Sequence, residues 1–191
     1  YKAIPDRIVA GTYILATAVC GGNVLVDGAI FEHNQSLVSF LKQTACKIET
    51  YNDKIRVKAN KRLSSIENIE TKPFPFFPTD LQSQMLVLQS VSSGVSIIQE
   101  NMFENSYGIV PELKKMGADI VLKGKTALVK GVDTLFGADV CASDLRAGAG
   151  LVIAGMKAEG YTTISNAGLI ARGYKNIEER YNSLGADIKR I

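Results

Sequence analysis

Along the chain, runs that are apolar on nearly all sides alternate with runs that are apolar on one face only. Residues 4–22 open on Ile4-Pro5-Asp6 and stay apolar as far as Cys20. This is the pattern of a helix buried all round, with Asp6 as its cap. Asn23–Ala29 reads as a strand. Over Asn34–Ala45, Leu37, Phe40 and Leu41 fall at the i, i+3, i+4 spacing of an amphipathic helix. Lys47–Tyr51 and Lys54–Ala59 alternate on either side of Asn52-Asp53 and predict a hairpin.

After a polar connector over 60–73 the same order returns. Phe74-Pro75-Phe76-Phe77-Pro78 leads out of a loop, and Thr79 and Asp80 sit where a helix begins. Leu81–Ser93 is the predicted helix, stopped by Gly94, and Val95–Glu100 a strand. Pro111–Met116 is a second helix ending at Gly117. Asp119–Leu122 and Thr126–Val129 form a hairpin around Gly124-Lys125. A third return starts at Ala142-Ser143-Asp144. It runs through an apolar helix (Arg146–Ala158), a strand (Tyr161–Ser165), a helix (Asn176–Leu184) and Asp187–Ile191 as the start of a hairpin.

Two landmarks fix the register. Asp6, Asp80 and Asp144 each open an apolar helix. Gly117-Ala118-Asp119-Ile120 recurs as Gly185-Ala186-Asp187-Ile188 where the amphipathic helix closes into a strand. The units therefore cover about 4–59, 78–130 and 142–191, a period of roughly 60–75 residues, longer than ordinary solenoid repeats. Three such helix-strand-helix-strand-strand units predict one closed α/β domain over 1–191. The apolar helices lie at its centre and the sheets and amphipathic helices outside.

Composition narrows the function classes. A net charge of +3 is too small to argue for nucleic acid. Cys20, Cys46 and Cys141 are far apart, odd in number and without a CxxC. That predicts a reducing, cytoplasmic setting with neither a disulfide framework nor a zinc site. With His33 the only histidine, no metal centre is expected. No apolar run reaches the roughly 18 residues that span a bilayer. The start, Tyr1-Lys2-Ala3-Ile4, is no signal peptide and lacks an initiator Met, which suggests a piece of a longer protein.

The chain resembles the enolpyruvyl transferase family over essentially its whole length. The resemblance rests on Ile4-Pro5-Asp6-Arg7-Ile8 with Gly11-Thr12, and on Phe77-Pro78-Thr79-Asp80-Leu81-Gln82. Further matches are Phe103-Glu104-Asn105, Val110-Pro111-Glu112-Leu113, Ser143-Asp144-Leu145-Arg146, Leu151–Gly155 and Arg172-Gly173-Tyr174. It implies an inside-out α/β barrel of three units, one domain of a two-domain enzyme with the active site between the halves. The chain would be the C-terminal half, inactive alone. The branch it matches best transfers the enolpyruvyl group of phosphoenolpyruvate to the 3′-hydroxyl of UDP-N-acetylglucosamine, in bacterial peptidoglycan precursor synthesis. No cofactor is implied, no membrane and no nucleic acid, and the partner is the missing N-terminal half.

The same resemblance assigns roles. Asp80 matches the aspartate that serves as base or orienter for the hydroxyl; the plainer reading is a helix cap. Arg146 and Arg172 match arginines that hold phosphoenolpyruvate, a role suited to a planar, bidentate guanidinium. Met102 falls where an apolar residue meets the nucleotide-sugar through its backbone, against core packing. Arg7 links the halves or makes a surface ion pair. No cysteine sits in a catalytic motif.

Departures gather in these same motifs. Ser106 stands where the family continues with a phosphoenolpyruvate-clamping arginine. Val9 replaces an acidic residue, Ala171 another, and Leu169 a histidine. Ser106 and Ala171 support a rival reading, a non-catalytic paralogue that binds a nucleotide-sugar or a protein. A third reading keeps the chemistry with shikimate 3-phosphate as acceptor.

Overall fold

Three helices, α1 (Arg7–Cys20), α3 (Gln82–Val91) and α5 (Leu145–Lys157), pack against one another at the centre of the computed structural model, which describes residue 1 and residues 3–191. They are the three apolar runs of the sequence, and every residue of α3 is buried. Glycines set how closely they approach. A Cβ on Gly11 would lie 2.5 Å from Leu81 Cδ1, and one on Gly150 would lie 2.6 Å from Ile109 Cδ1. A methyl group at either position would force that neighbouring side chain to shift. The helices run parallel. Their starts meet where Leu81 faces Gly11 and Asp80 faces Arg146. Their far ends line a common cavity of about 470 Å³ bounded by Val19, Cys20, Leu88, Val91 and Lys157.

Each central helix is backed by one sheet. Behind α1 lie β1 (Gly22–Asp27), β2 (Lys47–Tyr51) and β3 (Lys54–Ala59), antiparallel in the order β1-β3-β2. Ile55, Val57 and Ala59 of β3 alternate inward, as a half-buried strand requires. Behind α3 the order is β4-β5-β7-β6, with β4 at Asn68–Glu70, β5 at Val95–Gln99, β6 at Asp119–Lys123 and β7 at Thr126–Lys130. Behind α5, β8 (Asp139–Cys141) pairs with β9 (Thr163–Ser165). The outer helices are α2 (Phe31–Leu41), α4 (Val110–Lys115) and α6 (Ile177–Asn182).

Several expectations need correction. The connector over 60–73 is not all loop, because β4 pairs parallel with β5 from Asn68↔Ile97 to Glu70↔Gln99. β8 does the same beside β9. Such three-residue strands are held by a partner distant in sequence, and no local alternation announces them. α2 begins three residues early and ends at Leu41; Thr44 turns the chain out by donating to Leu41 O at 2.7 Å and accepting from Cys46 N at 3.1 Å. Asp187–Ile191 forms no strand, since no described residue pairs with it.

The largest correction concerns Asp80, which caps no helix. Pro78 is extended (φ −77°, ψ 141°) and Thr79–Leu81 is a 3-10 turn closed by Leu81 N to Pro78 O at 3.1 Å. α3 therefore starts at Gln82 with no side-chain cap. By contrast Asp6 accepts from Ile8 N and Val9 N at 2.7 and 3.2 Å. Asp144 accepts from Arg146 N and Ala147 N at 2.8 and 2.9 Å.

Candidate functional site

Released from capping, the Asp80 carboxylate meets Arg146 Nη1 at 3.3 Å across the start of α5. The aspartate side chain is 47% exposed and the arginine 28%, so the pair stands half in solvent and its charges stay available to a ligand. Arg146 is held from two further sides. Its Nε lies 3.8 Å from Asp144 Oδ1, and its guanidinium carbon lies 5.4 Å from the centre of the Phe103 ring. An arginine over an aromatic face is attracted by the ring quadrupole and fixed in orientation.

The other predicted residues are less tied. Met102 is exposed, which rules out core packing for its side chain, and its backbone N–H donates to Glu100 at 2.7 Å. Arg172 ends the 3-10 segment Ala167–Arg172, is exposed, and makes no ion pair with the described residues. Its segment is nevertheless pinned beside Arg146, because a Cβ on Gly173 would come within 3.1 Å of Leu145. Arg7 makes no ion pair with the described residues either; it lies 5.3 Å from the Phe74 ring centre. Ser106 has a buried hydroxyl without a hydrogen-bond partner among the described residues.

Two supports were not foreseen. Glu100, fully buried at the end of β5, accepts from Thr71 Oγ1 at 2.8 Å, Thr79 Oγ1 at 2.9 Å, Met102 N at 2.7 Å and Phe103 N at 3.3 Å. A glutamate at a strand end reads as a solvated charge, so only the surrounding threonines hinted at it. The second support joins the helix starts. Thr12 donates to Ile8 O at 2.9 Å and is 2.8 Å from the Tyr174 hydroxyl, while Gln84 Nε2 donates to Thr12 Oγ1 at 3.0 Å. Burial pushes the Tyr174 phenol up, the hydrogen bonds of Thr12 and Gln84 oppose it, and the Asp6 and Asp80 carboxylates raise it further. The phenol therefore stays protonated and acts as a brace between helices.

The chemistry available is that of one carboxylate beside one guanidinium, with a main-chain loop at Met102. Burial pushes the Cys46 thiol up to about 11, which suits an inert core residue. Among the described residues no group of three or more His, Cys, Asp or Glu side chains could hold a metal ion. No helix among the described residues is long and apolar enough to cross a membrane.

Comparison with known proteins bears on the family and the fold. Residues 1–181 match the family model of EPSP synthase (3-phosphoshikimate 1-carboxyvinyltransferase). Among curated relatives, UDP-N-acetylglucosamine 1-carboxyvinyltransferase 2 of Caldanaerobacter subterraneus is 48% identical over 191 residues, covering 100% of this chain and 46% of its own length. UDP-N-acetylglucosamine 1-carboxyvinyltransferase of Myxococcus xanthus is 49% identical over 190 residues, covering 100% and 45%. The crystal structure of the enolpyruvyl transferase NikO from Streptomyces tendae superposes with a TM-score of 0.89 at 26% identity, over 99% of this chain and 45% of that one. EPSP synthase from Acinetobacter baumannii shares the fold, with a TM-score of 0.71 at 19% identity over 100% of this chain and 45% of its own. The chain thus spans about half the length of the relatives it matches.

Proposed function

The chain belongs to the EPSP synthase family of enolpyruvyl transferases, and on that premise we propose that it is one half of an enzyme that moves the enolpyruvyl group of phosphoenolpyruvate onto the 3′-hydroxyl of UDP-N-acetylglucosamine. The acceptor is inferred from the names of the relatives that are nearly half identical to it. The three helix-and-sheet units, about 4–59, 78–130 and 142–191, would form one inside-out barrel, a single domain that faces a second one. Such an enzyme would serve peptidoglycan precursor synthesis in the bacterial cytoplasm, and this half alone would be inactive.

In this reading the acceptor oxygen attacks C2 of phosphoenolpyruvate and gives up its proton while C3 gains one from the other half; loss of a proton from C3 then expels phosphate and restores the C2=C3 double bond. Asp80 takes or orients the hydroxyl proton, a task for a carboxylate within hydrogen-bond reach. Arg146 and Arg172 hold the carboxylate and phosphate of the donor. The Met102 backbone meets the nucleotide-sugar. One observation carries the proposal: Asp80, alone of the three repeated aspartates, turns from its helix toward an arginine at 3.3 Å.

Phosphate release by the full-length protein given both substrates, beside its Asp80→Asn variant, tests this. We expect release from the first and its collapse in the second. Absence of release from folded, unsubstituted protein would end the assignment for this acceptor. Ser106, with its unpartnered hydroxyl in place of an arginine, favours one rival, a paralogue that binds without turnover. Tight UDP-N-acetylglucosamine binding with no phosphate release would select it. Turnover with shikimate 3-phosphate instead would select the other acceptor.

A further inference from the structure

We propose that Glu100 is the positioning residue of this site, a single buried carboxylate that fixes the Asp80 turn and the Met102 loop relative to each other. The inference rests on the transferase reading above.

A carboxylate removed from water is costly unless paired or fully hydrogen-bonded. Glu100 is fully buried and forms no ion pair with the described residues. Its four donors are neutral. They come from three places: the end of β4, the turn before α3, and the loop after β5. An apolar side chain would fill the space. Only an acceptor with two oxygens gathers all three segments at once.

The two oxygens divide the task. Oε2 takes the Thr79 hydroxyl, the residue directly before Asp80. Oε1 takes the Thr71 hydroxyl and the N–H groups of Met102 and Phe103. Thr71 strengthens that side by accepting from Asn101 N at 3.0 Å. Phe103 is the ring on which the Arg146 guanidinium rests, and Arg146 faces Asp80. The links form a closed loop: Glu100 to Thr79 and Asp80, Asp80 to Arg146, Arg146 to Phe103, Phe103 back to Glu100. A base and a donor-binding cation held in one loop keep their separation when substrates arrive. Displacing such groups by about an ångström can cost roughly a hundredfold in rate.

Because the oxygens act separately, their effects can be separated. Thr79 is only half-buried, so Thr79→Val removes the Oε2 contact without disturbing the core. In full-length protein assayed for phosphate release, it should lower kcat by about ten- to a hundredfold and leave the KM for UDP-N-acetylglucosamine unchanged. Thr79→Ser keeps the hydroxyl and should restore kcat. Glu100→Gln presents an amide donor to groups that are themselves donors; it should lower kcat and also raise that KM, because the Met102 loop loosens. Thermal melting establishes that each variant is folded, and the threonine pair carries the test if Glu100→Gln is not. A folded Thr79→Val with unsubstituted kcat, or Thr79→Ser impaired as deeply as Thr79→Val, overturns the inference while leaving the transferase reading intact. An unsubstituted protein that releases no phosphate overturns both.

Discussion

The starts of α1 and α5 differ from the start of α3, although all three carry an aspartate at the same place in the repeat. Asp6 and Asp144 each accept from two backbone N–H groups of their own helix. Asp80 accepts from none in α3 and reaches across to Arg146. What separates them is the backbone before the helix. A proline followed by a 3-10 turn puts Asp80 inside the turn and not ahead of it, whereas Asp6 and Asp144 are extended. One residue type in one register thus caps its helix twice and is turned away from its helix once. Position in a repeat does not determine role; the local path of the chain does.

That contrast can be broken in order of effect. Asp80→Asn in the full-length protein should cost about 10²- to 10⁴-fold in kcat, the range of general acid–base catalysis, with melting unchanged. Asp6→Asn should leave turnover and melting alone, because asparagine caps as well as aspartate. Loss of turnover in the latter would erase the distinction. Gly11→Ala forces a methyl group against Leu81, next to Asp80; it should destabilise by about 1–3 kcal/mol by denaturant titration, although alanine is the better helix former. Asp6→Ala and Asp144→Ala should each cost about 1 kcal/mol, and Asp80→Ala much less. Equal losses at all three would mean that Asp80 caps after all. A modest effect is expected of Phe103→Leu, which removes the ring beneath Arg146 and should weaken phosphoenolpyruvate binding by about 0.5–1 kcal/mol.

What the sequence made legible was whatever local pattern determines. The apolar runs of α1, α3 and α5, the hairpins β2-β3 and β6-β7, and the caps Asp6 and Asp144 all follow from spacing and residue type. The repeated Gly-Ala-Asp-Ile gave the register. β4 and β8 were hidden because their bonding lies with strands far along the chain. Glu100 was hidden because nothing local says that Thr71 and Thr79 converge on it. Asp80 and Arg146 were named through family resemblance; that Asp80 leaves its helix uncapped could not be read, since Asp and helix start together argue for a cap. Arg172 was named in the same way, and its contacts with the described residues add little to that.

The parallel course of the three central helices has an electrostatic consequence. Aligned peptide dipoles leave the equivalent of about half a positive charge at each helix start, and here three starts are gathered at one pole. Asp6 and Asp144 answer two of them with carboxylates seated on the first-turn N–H groups. The third, at α3, has no side-chain carboxylate on it. The start of α3 therefore keeps first-turn N–H groups that no side chain caps among the described residues, close to the Asp80–Arg146 pair. An anionic group reaching this pole would meet those N–H groups and the Arg146 guanidinium, and added salt should weaken the attraction at long range.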